Sequence, residues 1–148
     1  ENFGTTNLNE VSIFENLADR FAPCDLPTVV SLTSDDFTVN PFFNGDDRTN
    51  LLDITASDLA VGDKGAVLLT IRIPACAETS FTNFAVVRAV TPVNTEITDV
   101  SQNGSDPAPD NDDDPTNNDV GTPVKTSVTN SIGLAKRVEQ KSIIDDKT

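Results

Sequence analysis

Apolar and polar residues alternate along several short stretches of the chain, with turn-forming residues between them. The clearest stretch is 81–90, where apolar side chains fall on both faces, as in a central strand of a sandwich. Similar patterns predict further strands at 11–14, 28–32, 37–40, 51–54, 66–73, 96–100 and 123–128. Short strands separated by frequent turn signals predict an all-β fold, either an antiparallel β-sandwich or a barrel.

Helical patterns are short. Residues 15–21 predict one helical turn, and residues 56–60 predict another after Thr55 as a cap. Neither stretch sustains a 3.6-residue period, and no glycine-rich phosphate-binding motif occurs. An α/β nucleotide-binding fold is therefore not supported.

The pattern changes sharply after Val100. Residues 101–121 contain no aromatic side chain and only two aliphatic ones, Ala108 and Val120. We therefore divide the chain into a β-sandwich body at 1–100, an acidic Asp/Pro/Asn loop at 101–121 and a closing strand at 122–130. A fresh apolar stretch begins at Ser131, within a last segment at 131–148.

Charge and composition narrow the possible partners. The net charge is -14, and there is no His, Met, Trp or Tyr. Nucleic acid and anionic membranes are poor partners for such a chain, because phosphate binding needs clustered Lys and Arg. No apolar run approaches the ~18 residues of a membrane span, so we expect no membrane insertion. Without His, Ser-His-Asp and Cys-His catalysis and histidine metal sites are excluded.

The acidic loop is the densest chemical signal. Asp106, Asp110, Asp112 and Asp114 fall in the same phase of an alternating pattern, separated by four, two and two positions. Hard cations such as Ca²⁺ take six to eight oxygen ligands, and an ion would relieve the repulsion among consecutive carboxylates. We add Asp99 and Asp119, which flank the loop, as candidate ligands. The competing interpretation is a solvated acidic linker, which Asp/Pro/Asn runs commonly form.

An enzyme is disfavoured. Glycosidases place two carboxylates across a cleft, whereas these acids crowd a proline-rich loop without Trp or Tyr platforms for a sugar. We therefore expect no catalytic residues.

Cys24 and Cys76 are the only cysteines and are 52 positions apart, neither in a CxxC motif. In an oxidising compartment they would most simply pair with each other, with a stabilisation of about 4 kcal/mol in the chain-entropy model. Two buried free thiols are the alternative.

Several motifs together resemble the Ig-like repeats of giant bacterial surface proteins. These repeats were catalogued as domain of unknown function eleven, and similar ones occur in gliding-motility adhesins of the Bacteroidetes. The resemblance covers nearly the whole chain. The most specific matching segments are 81–87, 98–107, 110–119 and 121–124, and weaker ones are 2–11, 15–17, 59–65 and 67–73. Asp113 departs from the pattern, because the family often has Gly there.

The resemblance implies an Ig-like antiparallel β-sandwich repeat of a long extracellular adhesin or filament. It would act as a spacer or assembly unit at the cell surface, next to neighbouring repeats or subunits of the same protein, and Ca²⁺ would stiffen its acidic loop. The alternative is a Ca²⁺-dependent adhesin module that binds a carbohydrate or a receptor.

The resemblance also places the start of the next repeat at 131–138, so that the chain runs from inside one repeat to inside the next. A sandwich cut in this way lacks a strand. We therefore expect an open sheet edge, which another strand would fill.

Overall fold

The computed structural model describes residues 1–112, 114–127 and 132–135, and the fold is given for these. The strands are β1 (Asn9–Phe14), β2 (Thr28–Thr33), β3 (Leu68–Arg72), β4 (Ser80–Asn83), β5 (Val86–Val90), β6 (Glu96–Val100) and β7 (Thr122–Lys125). One α-helix, α1 (Leu17–Arg20), and two 3-10 turns, Ile54–Ala56 and Pro115–Asn117, complete the regular structure of this part.

The strands pair in antiparallel sheets, so the prediction of an all-β fold is confirmed. One sheet has the order β1-β5-β6, and β2-β3 and β4-β7 form two-stranded sheets. In the first sheet Val87 lies opposite Ile13 on one side and Asp99 on the other, so these three side chains share a face. Strand β6 matches the predicted stretch 96–100 at both ends.

The stretch 81–90 is not one strand, and this part of the prediction was wrong. It divides into β4, which pairs with β7, and β5, which pairs with β1 and β6. Arg20 lies at the break, where its Nε donates to the carbonyl of Phe84 (3.3 Å) and its guanidinium lies 3.5 Å from the centre of the Phe84 ring. The chain thus changes sheets at Phe84, as strands do at sandwich corners.

The strands predicted at 37–40 and 51–54 do not form, apart from a single bridge between Val39 and Leu52. Two backbone hydrogen bonds flank this bridge, from Asn40 N–H to the Leu51 carbonyl (2.8 Å) and from Asp53 N–H to the Thr38 carbonyl (2.9 Å). The two segments therefore pair over a few residues only, too short for a regular strand.

Both helical turns exist, but the second was misplaced. Helix α1 begins after Asn16, whose side chain accepts from the N–H of Asp19 and caps it. The 3-10 turn Ile54–Ala56 begins earlier than predicted, because Asp53 and not Thr55 caps it, with its Oδ1 3.0 Å from the Thr55 nitrogen.

Two apolar clusters form the core. The larger one joins the helix to the β2-β3 and β4-β7 sheets, and it contains Leu17, Phe21, Phe43, Leu51 and Phe81. The smaller one lies under the β1-β5-β6 sheet and contains Val11, Leu52 and Ala89. The predicted closing strand at 122–130 appears as β7, which ends at Lys125. Residues 128–131 and 136–148, which include most of the predicted last segment 131–148, lie outside the described residues.

A buried carboxyl group adjoins the larger cluster. Glu15 is 4 % exposed, and its Oε2 accepts from Asn83 Nδ2 (3.2 Å). Its Oε1 and Asn83 Oδ1 are buried without a hydrogen-bond partner among the described residues. Burial raises the pKa of Glu15, against the opposing effects of the Asn83 hydrogen bond and the Arg20 charge.

We expect Glu15→Gln to stabilise the protein at neutral pH by on the order of 1 kcal/mol. Between the unfolded and the raised folded pKa, the folded state keeps a proton that the unfolded state has lost. Stability therefore falls as pH rises through that window, and a neutral amide removes this loss. Chemical denaturation from pH 4 to pH 8 measures it. The exposed Glu96→Gln is the control, and a parallel pH profile for wild type and Glu15→Gln would contradict the expectation.

Candidate functional site

The acidic loop leaves the β1-β5-β6 sheet after β6 and leads into β7, which belongs to the β4-β7 sheet. Its two ends are tied together, because Asn103 N–H donates to the Val120 carbonyl (2.7 Å) and Val120 N–H donates to Gln102 Oε1 (2.8 Å). The two ends of the loop are therefore held close together while it crosses from one sheet to the other.

Aspartate side chains organise the loop by accepting from its own backbone. Asp106 Oδ1 accepts from Ala108 N–H (3.1 Å), Asp112 Oδ1 from Asp114 N–H (2.9 Å) and Asp114 Oδ1 from Thr116 N–H (3.0 Å). Each bond reaches two residues ahead, which is the geometry of an Asx turn. Asp114 thereby caps the 3-10 turn Pro115–Asn117.

Asparagine amides donate to the second oxygen of Asp112 and to one further carboxylate, that of Asp110. Asn117 Nδ2 donates to Asp112 Oδ2 (2.9 Å), and Asn118 Nδ2 donates to Asp110 Oδ1 (3.3 Å). The pKa of Asp112 is lowered, first by the Asp114 backbone N–H and then by the Asn117 amide. The charged form of Asp112 is thus the one that the loop stabilises.

Asp99 is in a different environment. It lies on β6, half-buried, on the same sheet face as Val87. Burial raises its pKa most, a backbone hydrogen bond opposes this, and the negative charges of Asp119 and Asp114 raise the pKa further. The fold therefore brings Asp114 and Asp119 close enough to Asp99 for their charges to act on it.

The six predicted ion ligands do not form one cluster. Asp106, Asp110, Asp112, Asp114 and Asp119 are exposed, and no group of three or more acidic or cysteine side chains within the described ranges is placed to hold a metal ion. Four of them, Asp106, Asp110, Asp112 and Asp114, accept hydrogen bonds inside the loop. Asp113 lies outside the described residues, and the left-handed residue seen in the loop next to it is Asn111 (φ 60°).

A groove of about 790 Å³ adjoins the acidic loop, and the sequence did not reveal it. Its floor is the apolar face of the β1-β5-β6 sheet, with Ile13, Val87, Ala89 and Ile97, and Asp99 lies at one end. The N-terminal residues 1–6 and parts of the acidic loop form its walls. The alternation of the floor residues along the sequence predicts ordinary core positions. The one sequence-based expectation that bears on the groove is the open sheet edge.

Cys24 and Cys76 form a disulfide, with their Cα atoms 5.6 Å apart, so the first of the two alternatives for the cysteines is confirmed. The bond joins the segment after α1 to the connection between β3 and β4. Disulfides of this kind form and persist in oxidising compartments. Across the described residues, no helix has the length and apolar character needed to span a membrane.

Comparisons with protein-family models, with curated proteins and with solved structures found no match to this chain. The resemblance to Ig-like surface repeats therefore stays a prediction from the sequence motifs.

Proposed function

We propose that this chain is a structural repeat of a long extracellular bacterial surface protein or filament, where it acts as a spacer or an assembly unit without enzymatic activity. The observation that carries the proposal is the disulfide between Cys24 and Cys76 in an all-β body. A bond across 52 positions limits how far the body can be extended. Antiparallel sheets with such a staple suit a module that must keep its shape outside the cell.

The acidic loop supports a structural role and not a catalytic one. Its carboxylates accept from backbone N–H groups two residues ahead, so they fix the course of the loop. The charge of the loop, within a net charge of -14, keeps the chain soluble.

The proposed location is tested on intact cells of the source organism. Antibodies raised against the folded chain should label cells that have not been permeabilised. Labelling that appears only after permeabilisation would overturn a cell-surface role.

We also propose that Ca²⁺ binds the acidic loop once its side chains rearrange. Asp106, Asp110 and Asp114 each use one carboxylate oxygen in the hydrogen bonds described above, which leaves the other for an ion. Extracellular calcium modules bind with dissociation constants of about 0.1–1 mM. In 10 mM Ca²⁺ such a site would stabilise the fold by about 2 kcal/mol relative to EDTA, or roughly 5 °C in the melting midpoint.

Matched variants make this test specific. Asp114→Asn keeps the hydrogen-bond acceptor but removes a charge, and it should abolish most of the calcium shift. Asp35→Asn removes an exposed charge outside the loop and should keep the shift. An unchanged wild-type midpoint in millimolar Ca²⁺ would mean that the loop is a solvated acidic segment.

A further inference from the structure

The outer edge of β6 has no partner strand among the described residues. In the sheet order β1-β5-β6, only β5 pairs with β6. Ser101 N–H donates to the carbonyl of Ala85, so the antiparallel alternation directs the backbone groups of Asp99 and Ile97 toward β5. The N–H and C=O groups of Thr98 and Val100 consequently point away from the sheet. An edge of this kind is a template for another strand.

The groove beside this edge is apolar and partly uncovered. Ile97 lies on its floor and remains 43 % exposed. Along β6 the floor changes from the apolar Ile97 to the acidic Asp99, two residues later. An added strand would therefore need apolar side chains first and then a cation on the face that it buries.

The chain itself contains a segment with this pattern. Ile132 and Leu134 are 100 % and 96 % exposed, so neither is buried by its own fold. In the sequence they alternate with the small residues Ser131, Gly133 and Ala135. Lys136 is two positions after Leu134 and so continues the series of Ile132 and Leu134. In an extended strand Ile132, Leu134 and Lys136 would share one face.

Charge favours the same match. Asp99 and Asp106 line the groove and carry negative charge, while the N-terminal ammonium of Glu1 lies close enough to Asp99 to lower its pKa slightly. Lys136 is followed at once by Arg137, whereas no basic residue occurs between Arg88 and Lys125. A lysine beside Asp99 would compensate a carboxylate that burial and its acidic neighbours destabilise.

We propose that residues 132–136 of a second copy of this chain dock in the groove as a strand added to the outer edge of β6. The order of apolar and charged residues makes the added strand parallel to β6, with Leu134 beside Ile97 and Lys136 beside Asp99. A second copy is the occupant because residues 132–135 of the same copy lie exposed to solvent. The inference rests on the proposed assembly role and names its site.

Sedimentation of the full chain over a concentration series tests the docking. We expect concentration-dependent association, and Leu134→Asp should weaken it by about tenfold or more, since it removes a buried leucine. Leu134 is already exposed, so this variant should melt like the wild type. Val93→Asp is the matched control, because Val93 is exposed at 81 % and lies outside the groove; it should associate normally.

A charge reversal tests the orientation. Asp99→Lys and Lys136→Asp should each weaken association, and the double variant should restore it. Restoration needs the two positions to meet, so a general change in net charge would not reproduce it. If both single variants associate weakly and the double variant does not restore association, the proposed pairing of Asp99 with Lys136 is overturned.

A disulfide cross-link shows whether the added strand comes from a second copy of the chain or from the same copy. Thr98→Cys and Ala135→Cys place thiols on the sheet face opposite Asp99. Mixing the two single variants should give a disulfide-linked heterodimer. A chain that stays monomeric without this product, or a link that forms only within the double variant at high dilution, would overturn the inference. If the chain stays monomeric but antibodies label it on intact cells, the docking is refuted and the spacer role is not. If the chain associates but is not labelled on intact cells, only the surface role is refuted.

Discussion

Breaking the Cys24–Cys76 bond is expected to lower the free energy of unfolding by about 4 kcal/mol. The bond closes a loop across 52 positions, and the chain-entropy model assigns this stabilisation to the constrained unfolded state. For a chain of 148 residues the loss corresponds to a melting midpoint lower by roughly 12 °C. Thermal and denaturant unfolding with and without reductant measure both quantities.

The double variant Cys24→Ser with Cys76→Ser provides the control for this experiment. Cys24 packs against the larger core cluster, so the substitution adds a small packing loss to the lost cross-link. Reductant should no longer change the midpoint of this variant. A wild-type loss below about 1 kcal/mol on reduction would show that the unfolded chain is compact without the bond.

Gly45→Ala is expected to destabilise the fold by about 3 kcal/mol. Gly45 has φ 75°, where a Cβ costs about 1–2 kcal/mol. A Cβ there would also lie 2.5 Å from Leu17 Cδ1. Leu17 is 1 % exposed at the start of α1, and Ala18 N–H donates to the Gly45 carbonyl (3.0 Å). The helix and the turn that carries Gly45 would have to separate, at an overpacking cost of about 1–3 kcal/mol.

Gly62→Ala is a matched comparison. Gly62 has φ 74°, nearly the same as Gly45, but among the described residues no atom beyond its chain neighbours lies within 4 Å of an added Cβ. It should therefore show the backbone cost alone, about 1 kcal/mol. Urea denaturation of both variants separates the two contributions. Equal losses would mean that Leu17 moves aside freely and that the contact does not hold α1 in place.

The sequence pattern predicts where most of the strands lie, but it does not predict which strands pair with each other. Strand β6 was predicted at its exact ends because its alternation stands between clear turns. The break in the stretch 81–90 was missed, since its alternation continues through Phe84. Arg20, 64 positions away, donates to the Phe84 carbonyl where the chain changes sheets. Such a contact exists only in the folded state.

Similar reasons explain the candidate site. The density of Asp, Pro and Asn located the acidic loop, but residue spacing could not show that the carboxylates accept from their own backbone. The groove was missed because its floor residues, such as Val87 and Ile97, have the pattern of any core strand. Whether a core face is covered depends on where distant segments pack, and local alternation does not report that.

We propose that the chain is a disulfide-linked structural module that resists extension. Force–extension measurements on tandem copies test this role most directly. Under oxidising conditions each copy should unfold in a discrete event, and the residues between Cys24 and Cys76 should stay locked. In reductant each event should lengthen by roughly 180 Å, the extended length of those 52 positions. Smooth extension without discrete events, or equal lengths in both conditions, would contradict the claim.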